Sequence, residues 1–276
     1  MMAKAICVPL MGGVLKIFEW LIYCLNTKRT KGRRQKMKKF ELTSESVVHG
    51  SKTLYRIRAV TAFRDVKAGE LGGYVEKEAN LDQFGNAWVD DNARVSGNAR
   101  VLGDARVSGN AWVFSNARVF GDAWVSGNAN VFDGASVFGD ASVFGDTAVS
   151  GGAKVSGDAE VSGDAWVSGN AEVSGDARIF GNAEVSGNAR VSGDADVSKS
   201  THLIQIGSIE SRHGFTTFFR TKNKKIHVAC VRFDGSIDEF EAVVKKTHAG
   251  TKHEKTYMLA IELAKAQIEL EDTDNG

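Results

Sequence analysis

Residues 95–112 decide the fold, because they read VSGNAR, VLGDAR and VSGNAW, three hexads of one repeat. The unit Val-(Ser/Phe)-Gly-(Asn/Asp)-Ala-x recurs without a break from Phe84 to Val197. A column that begins at Val89 and steps by six holds valine at eighteen of nineteen positions and isoleucine at the other. A second column, two residues earlier, is alanine everywhere except Thr147. Such periodicity is typical of a repeat architecture.

The period of six predicts short β-strands. Residues six apart drift around an α-helix and make no apolar stripe, and valine at every repeat favours strands. The Gly-Asn and Gly-Asp pairs adopt turn conformations at low steric cost. Each hexad is therefore predicted to form one strand and one corner, with valine and alanine pointing inward. Three hexads close a triangular coil of 18 residues, so the nineteen hexads fill about six stacked coils.

The repeat resembles that of the hexapeptide-repeat proteins, which fold as left-handed parallel β-helices. In that family an aliphatic residue is followed four positions later by a small one, as Val95 is followed by Ala99. Glycine lies one place later here than in the commonest form of the family repeat. The resemblance implies an all-β solenoid, a left-handed parallel β-helix of hexapeptide repeats.

A second resemblance lies outside the regular repeat. The segments LYRIRA (residues 54–59), GELGGYV (69–75) and GNAWV (85–89) are similar to the opening of a group of bacterial and prophage proteins. Members of that group are usually labelled hexapeptide transferase or polymer-forming protein. The similarity covers residues 37–270 approximately and brings no established activity with it. It implies an origin in a prophage or mobile element.

Residues 1–36 differ in composition from the rest of the chain. They hold eight basic residues and one acid, whereas the remainder holds 27 basic and 33 acidic residues. Three interpretations stay open: codons upstream of a true start at Met37, a membrane-associated segment through residues 3–25, or a soluble helix. The bacterial group begins with Met-Lys-Lys, which matches residues 37–39 and favours the first. We therefore expect a cytoplasmic protein, with membrane association as the alternative if the leader is real.

An N-terminal cap, residues 37–83, is predicted ahead of the β-helix of residues 84–197. A solenoid exposes unpaired backbone and an open core at its ends, so an end coil needs a cover. Within the cap, Leu54–Val60 alternates as a strand does. Leu71–Tyr74 is predicted to be a turn that leads into an imperfect first coil.

A small C-terminal α+β module, residues 198–276, is predicted after the repeat stops. Its predicted strands are Leu203–Ile209, Thr216–Thr221 and Lys225–Phe233. A capping box at Ser236 opens a helix to about Thr247, and a second helix runs from about His253 to Leu270. The apolar residues of the second helix are Leu259, Ile261, Leu263 and Ile268. The module could cap the solenoid, bind a partner or dimerise.

Acyl transfer is the enzymatic alternative, because the resembled class includes CoA-dependent acyltransferases. Those enzymes need a histidine general base near a cleft. Residues 84–197 contain no histidine, and all six histidines lie in the flanks. His213, in a predicted turn beyond the last coil, is the one weak catalytic candidate, and acyl-CoA would be its cofactor. Otherwise we expect no catalytic residue and no cofactor.

Other binding chemistry has little support. Three cysteines are too few and too scattered for a disulfide framework or a zinc cluster, and the Asp and Asn columns are interpreted as turn-formers, so no metal site is predicted. A net charge of +1 argues against a protein that coats nucleic acid. Arginines and tryptophans mix in the first coils, but 18-residue stacking divides them between faces. We therefore predict no nucleic-acid site.

Self-association is the predicted use of the solenoid. The residue after each valine is mostly serine, but six of these positions hold phenylalanine. Eighteen-residue stacking places Phe114 beside Phe132 and Phe120 beside Phe138, all pointing outward. Exposed apolar ladders usually mark an interface, although ring stacking could instead steady the coils of one chain. The predicted interface of a homo-oligomer comprises Phe114, Phe120, Phe132, Phe138 and Phe144. This makes the chain a non-enzymatic structural or interaction protein.

Overall fold

The computed structural model describes residues 38–209 and 214–271. It begins with an antiparallel hairpin of β1 (Phe40–His49) and β2 (Lys52–Ala59). The next strand, β3 (Leu71–Val75), pairs antiparallel with β2 on one side and parallel with the solenoid on the other. The hairpin therefore continues one face of the solenoid as a sheet.

The solenoid has about seven turns and three flat faces, each a parallel sheet. Face 1 continues from β3 through β5 (Arg94–Val95), β8 (Trp112–Val113), β11 (Asn130–Val131), β14 (Ala148–Val149), β17 (Trp166–Val167) and β20 (Glu184–Val185). Face 2 contains β6 (Arg100–Val101), β9 (Arg118–Gly121), β12 (Ser136–Gly139), β15 (Lys154–Val155), β18 (Glu172–Val173) and β21 (Arg190–Val191). Face 3 contains β4 (Trp88–Val89), β7 (Arg106–Val107), β10 (Trp124–Val125), β13 (Ser142–Val143), β16 (Glu160–Val161), β19 (Arg178–Ile179) and β22 (Asp196–Val197).

The register of the strands confirms the 18-residue coil. Val125 pairs with Val107 on one side and with Val143 on the other, and the same step recurs on all three faces. Every valine of the repeat column is fully buried, as is Ile179. The alanine column is buried with it. Inward-pointing valine and alanine therefore form the core that the hexad predicts.

The corners explain the glycine column. Gly121 has a φ of +75°, a conformation that residues with a Cβ rarely adopt. A Cβ there would also lie 3.0 Å from the backbone nitrogen of Gly139 in the next coil. Asp91, Ser115 and Asp133 replace glycine in this column and keep a positive φ, from 51° to 61°. The turn conformation is thus a property of the coil, and glycine is its least strained occupant.

The first coil is imperfect, as predicted, but it begins with a strand where a turn was expected. Leu71–Val75 is strand β3, and Val75 pairs with Val95. Gly72 and Gly73 serve close packing here: a Cβ on Gly72 would overlap the Val89 carbonyl oxygen, and one on Gly73 would lie 2.6 Å from the Ala93 carbonyl oxygen. Such glycines allow backbone approach and are easily mistaken for turn formers.

The cap closes the N-terminal end of the core. Trp88, at the hexad position before Val89, is fully buried, and its ring meets the Phe63 ring edge-on at 5.4 Å. Lys39 is also buried, and its Nζ donates hydrogen bonds to the carbonyl oxygens of Ala87 (2.7 Å) and Gly85 (3.4 Å). The Lys39 ammonium group therefore donates hydrogen bonds to backbone carbonyls at the end of the solenoid, where there is no further coil to pair with them.

The C-terminal module is a four-stranded antiparallel sheet with two helices. The strands follow one another in space as β23 (Leu203–Gly207), β24 (Phe215–Arg220), β25 (Ile226–Cys230) and β26 (Phe233–Ser236). The predicted strand over 225–233 is divided by a two-residue hairpin turn, and β26 follows it. The helices are α1 (Ile237–Thr247) and α2 (Lys252–Gln267). The predicted capping box is present, because the Ser236 Oγ accepts a hydrogen bond from the Glu239 backbone N–H at 3.3 Å.

The sheet of this module caps the solenoid. Phe219 and Ala229 join the solenoid core, whereas Phe218 and Val228 pack on the helices from the opposite side of the sheet. Buried Arg220 donates to the Asp196 backbone oxygen (3.1 Å) and to its carboxylate (2.9 Å). Of the three roles left open for the module, capping is the one seen in the fold.

The second helix buries only part of its apolar set. Ile261 and Ile268 are buried, but Leu259 and Leu263 are 63% and 48% exposed. The two leucines are one helical turn apart, and they lie on the side opposite the buried face that includes Tyr257. Apolar character alone therefore did not identify the buried face of α2.

Candidate interaction surface

The predicted phenylalanine ladders are present. The rings of Phe114 and Phe132 stack on face 1, with centroids 4.9 Å apart and planes 4° from parallel. The rings of Phe120 and Phe138 stack on face 2, also at 4.9 Å and within 1°. All four side chains are half-buried. Part of each ladder is therefore still exposed to solvent.

The five predicted interface residues do not share one surface. Phe144 lies on face 3, in the column whose neighbouring positions one coil away are Ser126 and Ser162. It therefore has no phenylalanine beside it. The structure brings the other four together as two pairs on two neighbouring faces.

On face 1 the ladder is covered by aromatic groups of the same chain. The Trp112 ring stacks on Phe114 at 4.0 Å, and the ring of His49 meets Trp112 edge-on at 4.3 Å. His49 comes from the tip of the β1–β2 hairpin, far away in sequence. Sequence reasoning missed this contact because the hexad repeat carries no signal for where the hairpin folds.

The three tryptophans of the solenoid that follow Trp88 share one hydrogen-bonding pattern. The indole Nε1 of Trp112, Trp124 and Trp166 each donates to a serine hydroxyl sixteen residues earlier, at 3.3, 3.1 and 3.3 Å. The acceptor serine is the residue after a valine in the preceding coil, so the spacing follows from the 18-residue register. These bonds hold each indole along its face.

On face 2 the ladder extends further, and no aromatic ring of the described residues covers it. Leu102 occupies the same hexad position one coil before Phe120, and Phe138 lies one coil after it. Strands β9 and β12 pair over four residues each, more than the two of most solenoid strands. We call Leu102, Phe120 and Phe138 the apolar strip of face 2.

A basic strip runs beside the apolar strip. Arg100 and Arg118 are paired neighbours in adjacent coils of face 2, and both side chains are exposed. Within residues 38–209 and 214–271, neither guanidinium forms an ion pair. Further along the same column, Lys154 does have a partner, Glu172, at 3.1 Å.

An acidic strip lies at the corner that ends face 2. Six successive coils place an aspartate directly after the corner glycine, at residues 104, 122, 140, 158, 176 and 194. Asparagines in such columns can hydrogen-bond along the stack, as Asn98 does to Asn116 at 3.3 Å. Stacked carboxylates can only accept hydrogen bonds. From the hexad alone, aspartate and asparagine are interpreted alike, as turn-formers. The 18-residue spacing nevertheless shows that one corner carries aspartate in six successive coils.

The histidine selected from the sequence, His213, lies outside the described residues, as does the leader with its 3–25 segment. Among the described histidines, His227 has a carboxylate partner: its Nε2 is 2.8 Å from the Asp234 Oδ1. The other oxygen of Asp234 accepts a hydrogen bond from the Ser192 hydroxyl at 2.8 Å. Asp234 therefore links the C-terminal sheet to the last turn of face 2.

Among the described residues, no group of three or more His, Cys, Asp or Glu side chains could hold a metal ion. No helix in that part of the chain is both long and apolar enough to cross a membrane.

Comparison with known families supports the class of protein. Residues 93–109, which lie in the first regular coils, match the family described as the YdcK beta solenoid repeat. A search of the curated proteins finds no match. The matched repeat and the parallel sheets together define this chain as a β-solenoid repeat protein.

Proposed function

We propose that this chain is a non-enzymatic structural or interaction protein that self-associates through the apolar strip of face 2. The observation that carries the proposal is the Phe120–Phe138 ladder, which is stacked and half-buried and which, within residues 38–209 and 214–271, lacks the aromatic cover found on face 1. Apolar ladders of this kind are stabilised when a partner removes them from water. A second copy of the chain offers the same flat strip.

The rings of the apolar strip supply part of the free energy of such a contact. A phenylalanine side chain contributes roughly 1.5–3 kcal/mol when it passes from full exposure to full burial. Phe120 and Phe138 are already half-buried, so each ring gains only a fraction of that range. A micromolar association corresponds to about 8 kcal/mol, so the four rings of two copies contribute to it and their loss should weaken it.

The test replaces the face 2 pair and uses the face 1 pair as its matched control. Phe120→Ser with Phe138→Ser should convert the parent oligomer to monomer, because serine occupies this hexad position in most coils and keeps the fold. Phe114→Ser with Phe132→Ser should leave the mass unchanged. Light scattering coupled to size exclusion measures the mass, and thermal melting checks that each variant is folded.

Stacking within one chain is the competing explanation. It predicts that the face 2 variant melts at lower temperature while its mass equals that of the parent. A parent that is monomeric at several hundred micromolar would rule out self-association before any variant is made.

The similarity of residues 54–59 and 69–75 to the bacterial and prophage group supports two finer parts of the proposal. We place the chain with the hexapeptide-repeat proteins, and we infer a prophage or mobile-element origin. Genes for phage structural or packaging proteins beside its own gene would support that origin, and a conserved chromosomal operon around it would contradict it.

A further inference from the structure

Face 2 carries three parallel strips in a fixed order. In its strands the sequence reads Arg100-Val-Leu-Gly-Asp104 and then Arg118-Val-Phe-Gly-Asp122. These two coils each contribute one residue to the basic strip, one to the apolar strip and one to the acidic strip, whereas the next coil has Ser136 at the basic position. Because strands stack about 4.8 Å apart, the three strips run side by side along the solenoid axis.

Both charged strips are unfavourable in a single chain. Arg100 and Arg118 are directly paired across two strands, and like charges in that position destabilise a sheet. Asp122 and Asp140 likewise place two like charges in adjacent coils at the corner, and neither carboxylate forms an ion pair within the described residues. Asp104 is different, because the side chain and backbone nitrogen of Asn86 both donate to it at 3.0 Å. Opposite charge from outside the chain would relieve both strips.

In a dimer whose two-fold axis is parallel to the solenoid axis, all three strips would meet a favourable partner. Such an axis exchanges the left and right edges of a face, so the basic strip of one copy meets the acidic strip of the other. The apolar strips then meet in the middle. A two-fold axis across the solenoid would instead set arginine against arginine.

We infer that two copies of this chain pair face 2 to face 2, side by side and parallel, with Arg118 of each copy against Asp122 of the other. This inference rests on the proposed self-association and adds its partner geometry. The contact is isologous, so it closes as a dimer and leaves no free end.

The other faces lack this order of strips in the same coils. The corner that ends face 1 carries Asn98, Asn116 and Gly134, and the corner that ends face 3 carries Asn92, Asn110 and Asn128. Neither corner supplies a negative strip opposite an arginine. Face 2 is therefore the face that is complementary to itself.

Charge reversal tests the geometry. Arg118→Glu should set glutamate against Asp122 at both edges of the dimer, and Asp122→Lys should set lysine against Arg118. Each variant alone should raise the dissociation constant about tenfold or more, since like charges at an interface are strongly unfavourable. An equimolar mixture of the two variants should dimerise, because one edge is native and the other is reversed but complementary.

The controls use the same hexad positions elsewhere. Asp164→Lys lies at the corner that ends face 3, and Arg94→Glu lies on face 1; both should keep the parent's dissociation constant. Sedimentation equilibrium gives the constants, and circular dichroism confirms folding. If the parent dimerises but the face 2 variants bind as tightly as it does, or their mixture is not rescued, the paired geometry is wrong and self-association stands. A monomeric parent would overturn both.

Discussion

Lys39 shows how a single residue can link burial to pH. Burial lowers the pKa of its amine from 10.5 to about 8, although Asp82 and Asp104 act in the opposite direction. Its Nζ still donates to the Ala87 carbonyl at 2.7 Å. The cap therefore holds a buried ammonium group, which is unfavourable by itself, because that group donates hydrogen bonds to backbone carbonyls of the first coil.

The contribution of Lys39 to the free energy of unfolding should consequently rise with pH. Between about pH 8 and 10.5 the unfolded chain holds the Lys39 proton more tightly than the folded chain, so deprotonation favours the folded state. The free energy of unfolding of the parent relative to Lys39→Met should therefore increase from pH 7.5 to pH 10. Urea unfolding at both pH values measures it. Lys38→Met, at an exposed neighbour, is the control variant, and a difference for Lys39→Met that stays constant with pH would contradict the prediction.

Sequence patterns predict the burial of a residue when its neighbours in space belong to the same repeat. Val137 is buried between Val119 and Val155 because its environment is the same hexad, one coil before and one coil after. Trp88 has the same hexad position as the exposed Trp124, yet it is buried. Its cover comes from the cap, and no repeat signal reports the cap's path.

At the scale of elements, the C-terminal sheet is held to the last coil by a buried ion pair. Arg220 is 3% exposed, and its guanidinium contacts both the backbone oxygen and the carboxylate of Asp196. Loss of the Arg220 guanidinium would leave the largely buried Asp196 carboxylate with Arg178 at 3.8 Å in place of a hydrogen-bonded partner at 2.9 Å, which is costly. The module therefore depends on this pair as well as on its apolar packing.

Arg220→Met should lower the free energy of unfolding by about 3 kcal/mol. The cost should be smaller when Asp196→Asn is already present, because the asparagine leaves no buried charge. Arg178→Met is the matched control, since Arg178 is exposed and lies 3.8 Å from the same carboxylate; it should cost less than about 1 kcal/mol. Chemical denaturation of the parent, the two single variants at Arg220 and Asp196, their double variant and Arg178→Met gives these costs. Equal costs for Arg220→Met in both backgrounds would argue against the ion pair.

Element type was easier to predict than element contacts. The capping box of Ser236 and Glu239 marks the start of α1 in the sequence and in the structure, because it is a local interaction. The exposed Leu259 and Leu263 of α2 could not be distinguished from buried Ile261 by composition. The side of α2 that faces the sheet is set by tertiary packing, and the candidate strips of face 2 likewise became visible only with the 18-residue stacking in place.

Between its two caps, the solenoid is a stack in which each coil contacts the coils before and after it. Deleting residues 145–162 removes one complete coil and joins Phe144 to Gly163, which replaces Gly145 at the same hexad position. The faces stay in register, so the protein should still fold, melt cooperatively and keep the parent's mass. Its melting temperature should fall by about several degrees, because one coil of buried valine and alanine is lost.

Deleting residues 145–150 is the matched control for that experiment. Six residues are one hexad, so every later residue moves to the next face and the Trp166–Ser150 hydrogen bond is lost. This shorter deletion should lower the melting temperature more than the longer one. Melting curves of both variants decide the matter, and the opposite order would show that the register between faces is unimportant.

The 18-residue register also has a mechanical consequence. Every hydrogen bond between coils runs along the solenoid axis, as from the Ser126 nitrogen to the Val143 oxygen. Tension applied between the two ends enters the solenoid through its terminal coils, which we therefore expect to separate one at a time. Each coil that separates releases about 60 Å of extended chain. The molecule is consequently extensible in equal steps, and the caps that hold its first and last coils determine the force at which the first step occurs.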